Sequence, residues 1–299
     1  MSTLIGIEAG GTKFICAHGT GPNNLTDRVR IDTTTPAETM PQVEAYIRQV
    51  AASHTVDAIG VACFGPLDLD PLSPQYGSIA STPKLAWKQF PMLSHLKSMF
   101  SLPIGFDTDV NAAALGEQQF GVAQDVDSLI YITVGTGIGV GAIVANRVLH
   151  GAMHPEAGHM RVPQQAGDDF AGICPYHGNC LEGLASGPAI KARWNVTSAL
   201  DLAEGHAAWQ LESDYLAAAI HNYTLCYAPK RVVLGGGVMR HHALLPLVQH
   251  KVITSLAGYV DHAYLAAPDY VVRAGLGDNA GIVGALALAQ QAAINYQNH

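Results

Sequence analysis

The stretch Leu4-Ile-Gly-Ile-Glu-Ala-Gly-Gly-Thr-Lys13-Phe-Ile-Cys-Ala-His-Gly19 decides the fold. Its apolar run breaks at Gly10-Gly11 and resumes at Phe14. Two strands joined by a tight glycine turn are expected. Without Cβ atoms at Gly10 and Gly11, backbone amides can approach a phosphate closely, and Thr12 and Lys13 add a hydroxyl and a cation. An ordinary hairpin turn would look the same. The turn is no Walker A loop, because no G-x-x-x-x-G-K-[ST] occurs. It is no dinucleotide fingerprint either, because Phe14 to Ala17 continues as strand where a helix should start.

The same pattern returns further along the chain. Leu129 to Val134 reads as a strand, Gly135-Thr136-Gly137-Ile-Gly139 as a turn, and Gly141 to Ala145 as resumed extended chain. This is a weak internal repeat of one α/β unit that opens with a glycine-turned hairpin. Arg231 to Leu234 gives another strand before Gly235-Gly236-Gly237, a third glycine turn. Three such turns suggest one nucleotide site. Between them lie helical stripes. Pro36 to Ser53 is apolar at Met40, Val43, Tyr46, Ile47 and Val50. Val110 to Phe120, Asp214 to Tyr227, Leu244 to Ser255 and Gly281 to Gln291 also read as helices, and Ala58 to Phe64 and Ile104 to Phe106 as strands. Strands alternating with helices predict an α/β chain with buried sheets.

The chain has 299 residues, a length that suggests about two domains. Charged residues make up 13% and hydrophobic ones 48%, which excludes a disordered chain. Net charge is −8, and no Lys/Arg run stands out, so no nucleic-acid partner is expected. The first residues carry no cationic leader pattern. The uncharged stretches 128–146 and 280–299 are too glycine-broken or too polar to span a bilayer. A cytoplasmic protein without a membrane partner is expected, and five cysteines there read as thiols or metal ligands rather than disulfides.

Asp107-Thr-Asp109-Val-Asn111 follows a strand and opens a helix. An acid there can project from the carboxyl edge of the sheet, where ligands of α/β proteins sit. Asp109 suits a general base that takes a proton from a hydroxyl. One of the two aspartates is expected to cap the helix. Cys174-Pro-Tyr-His177-Gly-Asn-Cys180 places three ligand types within a glycine- and proline-containing loop. With His159 it completes a tetrahedral Cys2His2 zinc set, a closed structural site. His154 is a rival fourth ligand. Core cysteines beside a surface histidine are the plainer alternative.

Taken together, Glu8-Ala-Gly-Gly-Thr-Lys13, Asp107 to Ala113, Gly135 to Gly139, Pro155-Glu156-Ala-Gly-His159, the Cys174 to Cys180 loop and Gly235 to Gly237 resemble the ROK family of sugar kinases. Phe64 to Asp68, Tyr76-Gly-Ser-Ile-Ala-Ser-Thr-Pro-Lys84 and Cys180 to Pro188 are similar to its fructokinase branch. The resemblance implies two ribonuclease-H-like domains of the actin and hexokinase type flanking a cleft, with a small zinc-bound loop. It places the N-terminal domain at 1–115 with a returning helix over 280–299, and the second domain at 116–279. It implies ATP with Mg2+ on Gly10, Gly11, Thr12, Lys13, Gly135, Thr136, Gly137, Gly235, Gly236 and Gly237. Asp109 would match the base, and Asn111, Glu156, His159 and Glu182 the sugar contacts. His159 would also hold zinc through its other ring nitrogen. A homodimer that phosphorylates fructose is implied. A kinase for mannose, glucose or N-acetylmannosamine, or a sugar-responsive regulator, stays open. Glu8 stands where many members have aspartate.

Overall fold

The computed structural model describes residues 3–297, so the last two positions of the expected 280–299 helix lie outside it. The chain forms two compact units. The first holds Met1–Gln124, Val148–Pro155 and Asp278–His299, and the second holds Asp125–Arg147 and Glu156–Gly277.

The first unit runs β1 (Thr3–Ala9), β2 (Lys13–Gly19), β3 (Thr26–Asp32), α1 (Pro36–Ser53), β4 (Val56–Cys63), α2 (Met92–Met99), β5 (Ile104–Thr108) and α3 (Asp109–Phe120). The second runs β6 (Leu129–Val134), β7 (Ile138–Val144), β8 (Arg147–Val148, whose second residue counts with the first unit), α4 (Leu181–Ala185), α5 (Gly187–Trp194), α6 (Ala207–Tyr227), β9 (Arg231–Gly235), α7 (Leu244–Leu256), α8 (Ala263–Ala266) and β10 (Val271–Arg273). A final helix, α9 (Ala280–Gln297), belongs to the first unit.

The two sheets repeat one topology. Their orders are β3-β2-β1-β4-β5 and β10-β9-β6-β7-β8. In each, the opening strand pairs antiparallel with its hairpin partner and parallel with the strand that follows a helical excursion. The parallel pairings need crossovers, and the helices supply them. The internal repeat read from the two glycine hairpins is therefore a repeat of sheet topology.

In the first unit, α1 starts with Pro36 in its first turn and buries Met40, Val43, Tyr46, Ile47 and Val50. Those residues pack on Ile5, Ile7, Ile59 and Val61 of β1 and β4. Each such side chain contributes about 1.5–3 kcal/mol relative to exposure.

The opposite face of this sheet carries α9. Gly6, Gly60 and Gly105 stand in register across β1, β4 and β5. A Cβ on Gly60 would run into the backbone of Ala285, and one on Gly105 into that of Leu288. The row of missing side chains is a trough into which the helix backbone settles. Gly284 of α9 likewise meets Ala112 of α3, so three elements approach at backbone distance. This packing fixes the start of α3, and with it the acids at the end of β5.

Candidate active site and metal centre

The Gly10–Lys13 turn joins β1 to β2. The Gly10 amide donates to the Lys13 carbonyl at 3.0 Å. Thr33, in the loop after β3, closes the turn from outside. Its hydroxyl donates to the Gly10 carbonyl at 2.7 Å, and its amide to the Thr12 carbonyl at 3.1 Å. The amides of Gly11 and Thr12 take part in none of these bonds. Glu8, the penultimate residue of β1, stands beside this turn, with Gly281 of α9 so close that a Cβ there would meet its carboxyl group. Burial raises the Glu8 pKa, and the charges of Lys13 and Arg28 oppose that rise. Arg28 is itself oriented by Asn279 at 2.7 Å.

Strand β5 ends at Thr108 and α3 begins at Asp109. Neither aspartate caps the helix, contrary to the expectation. Thr108 does, its hydroxyl accepting the Asn111 amide at 3.1 Å. Asp107 is 3% exposed and has a different task. One oxygen accepts from the Thr108 amide and from the Asn111 side-chain nitrogen, each at 2.7 Å. The other faces His150 Nε2 at 2.9 Å. This hydrogen bond raises the His150 pKa, against a smaller opposing effect of burial. Asn111 is 1% exposed, so its amide is oriented by Asp107. Asp109 is the first residue of α3 and is half-buried, and one of its oxygens accepts the Val110 amide at 2.9 Å. A carboxylate is favoured at this helix end.

In the second unit, β6 and β9 are parallel neighbours, with Thr133 beside Gly235. Their two glycine turns therefore lie side by side at the carboxyl edge. Gly236 has a φ of +89° and presses against the Val134 backbone, a conformation and a fit that suit glycine. The Gly135 amide donates to Gly137 at 2.9 Å, and the Gly187 amide donates to Gly135 at 2.8 Å. Glu182 of α4 accepts the Ile138 amide at 3.0 Å, and Gly137 leaves room for its carboxylate.

Glu182 ties this turn to the Cys/His loop. The ligand atoms of His159, Cys174, His177 and Cys180 all lie within 4.8 Å of one another. Cys174 Sγ is 3.6 Å from Nδ1 of both His159 and His177, and Cys180 Sγ is 3.6 Å from His159 Nδ1. A tetrahedral zinc with bonds of about 2.3 Å to sulfur and about 2.0–2.1 Å to nitrogen puts such ligand pairs about 3.6 Å apart. The donor set thus fits zinc in both chemistry and spacing. Reciprocal bonds between Cys174 and Gly178, at 3.1 and 2.9 Å, fold the loop. Gly178 has a φ of +62°, and Gly183 packs on its carbonyl. Burial pushes the Cys180 thiol up to about 11, and a bound cation would reverse that. His159 directs Nδ1 to the thiols and Nε2 toward Glu182, 3.9 Å away. Glu156 is exposed, and its carbonyl accepts the His159 amide at 3.0 Å. The rival ligand His154 is not in this group. It belongs to the first unit, where its Nε2 accepts the Leu67 amide at 2.9 Å.

Two residues that matter here carry no sequence signal. Thr33 and His150 act through partners more than 20 residues away, and nothing in their neighbourhood marks them.

The chain matches the model of the ROK family over residues 4–292. It is 47% identical over 289 residues to the fructokinase of Pediococcus pentosaceus, covering 97% of this chain and 98% of that one. It is 39% identical over 301 residues to the fructokinase of Streptococcus mutans, covering 98% and 99%. Among solved structures it is similar to a ROK family glucokinase from Streptomyces griseus in complex with glucose and AMPPNP. That match has 26% identity and a TM-score of 0.75, over 97% of this chain and 99% of the other.

Proposed function

The chain belongs to the ROK family, and from that premise we propose that it is an ATP-dependent fructokinase. The observation that carries the reading is 47% identity to a fructokinase across 97% of the chain. The glucokinase similarity is much more distant, at 26%.

MgATP and D-fructose are the substrates. The Asp109 carboxylate takes the proton of the fructose 6-hydroxyl. The freed oxygen forms a bond to the γ-phosphorus. The bond from that phosphorus to the β,γ-bridging oxygen breaks, and its electron pair leaves with ADP. Phosphoryl transfer needs little covalent help from the protein, so positioning and charge balance dominate. The glycine turns at 10–13, 135–137 and 235–237 supply amides to the nucleotide phosphates. Asn111, Glu156, His159 and Glu182 are the sugar contacts of this reading, with Asp107 orienting Asn111. His159, Cys174, His177 and Cys180 would hold a structural zinc. That zinc would join the Glu156–His159 segment to the start of α4, and so set Glu182. A cytoplasmic homodimer completes the proposal. Among the described residues no helix is long and apolar enough to cross a membrane.

The test is ADP release with MgATP against fructose, mannose, glucose and N-acetylmannosamine, in protein of known zinc content. Fructose should give the highest kcat/KM. A higher value with another hexose would keep the kinase and overturn the acceptor.

A further inference from the structure

A lysine stands over the Gly10–Lys13 turn that the reaction above does not use. Lys84 Cε lies 3.7 Å from the point where a Cβ on Gly11 would stand, so its stem crosses the turn. The residue is half-buried, and among the described residues it makes no ion pair. An ammonium with no carboxylate beside it, carried on a stem that lies against a glycine turn, is placed to take an anion there.

The lysine is also well anchored. Its amide donates to the Thr82 hydroxyl at 3.3 Å, and its carbonyl accepts the Trp87 amide at 2.8 Å. Thr82 is 4% exposed and Trp87 fully buried. The Trp87 ring packs on Phe14, Phe64 and Phe90, with centroids 5.3 to 5.9 Å apart. Its indole nitrogen donates to the Thr34 carbonyl at 2.9 Å. Thr34 adjoins Thr33, which closes the glycine turn. The segment that carries Lys84 and the turn beneath it therefore share one anchor. An ammonium is a compact charge with three donors, suited to phosphate oxygens.

We propose that Lys84 is a catalytic residue of the phosphoryl transfer. Its ammonium donates to nonbridging oxygens of the γ-phosphoryl group as that group passes from ADP to the acceptor hydroxyl. Lys84 transfers no proton, and the bond changes are those already given. The assignment rests on the kinase reading.

The experiment compares Lys84→Met and Lys84→Arg with wild type, and with Lys88→Met as a control at an exposed position four residues on. Kinetics with MgATP and fructose are joined to direct binding of AMP-PNP and of ADP. Lys84→Met should lower kcat about 10²-fold, as loss of one charge-stabilising donor does. AMP-PNP affinity should fall about tenfold, with ADP affinity and the fructose KM within about twofold. Arginine should restore part of kcat. Should the methionine variant fail to fold by thermal melt, Lys84→Gln takes its place. Near-normal kcat, a loss confined to the fructose KM, or equal losses for ADP and AMP-PNP would each overturn the assignment. A wild type inactive on fructose would remove the acceptor reading alone, since the AMP-PNP comparison still decides Lys84. A wild type that binds neither nucleotide would overturn both.

Discussion

The Gly10 and Gly135 turns occupy equivalent places in two sheets of one topology, yet they are held by different means. The first is closed by a neutral hydroxyl, Thr33, and flanked by a half-buried acid, Glu8, with the cations Lys13 and Arg28 near it. The second is held by the Glu182 carboxylate, whose helix starts from the Cys/His loop. Equal topology thus does not mean equal dependence. The first turn stands on the packing of its own unit, and the second is tied through Glu182 to the Cys/His loop.

The largest expected effect breaks the chemistry and leaves both turns intact. Asp109→Asn should lower kcat about 10²–10⁴-fold, with unchanged ADP affinity by calorimetry. A kcat within a few-fold of wild type would place the base elsewhere.

Next is the metal. Cys180→Ser should lose about one equivalent of zinc per chain, and with it most activity. Elemental analysis checks the first and the coupled assay the second. Stoichiometric zinc in the variant would break the proposed dependence of the second turn.

A smaller effect sharpens the other side of the comparison. Thr33→Val removes the bond to the Gly10 carbonyl at similar volume. It should cost about 1 kcal/mol, read as an approximately fivefold rise in the MgATP KM. Zinc content should stay unchanged. An effect on zinc would mean that the two turns are not independent.

The smallest effect concerns His150. Its folded-state pKa is raised above 6.5 by the hydrogen bond to Asp107. The protonated pair therefore stabilises in full below 6.5, and that stabilisation is lost as pH rises through the raised value. The Tm difference between wild type and His150→Gln should be largest near pH 6 and shrink toward pH 9. A constant difference would show that His150 acts by packing alone.

Legibility followed sequence distance. The stripe from Met40 to Val50 was readable because a helix of period 3.6 makes its own pattern. Cys174, His177 and Cys180 were readable because seven residues of chain confine them together. The helix cap was misread because a threonine between two aspartates competes for the same role, and only backbone geometry chooses among them. His154 was a fair zinc candidate by type and spacing, and the fold sent it to the other unit.

By itself the sequence determined the local chemistry of this protein: glycine turns after strands, an acid at the start of α3 and a thiol-imidazole loop. Connectivity holds such groups within reach whatever the rest of the chain does. Only the tertiary structure decided which distant groups serve them. The trough of Gly6, Gly60 and Gly105 exists only when β1, β4 and β5 lie in register. Glu182 reaches Ile138 across 44 residues, and Trp87 reaches Thr34 across 53. Those partners are chosen by how sheets and helices pack, which no local pattern records.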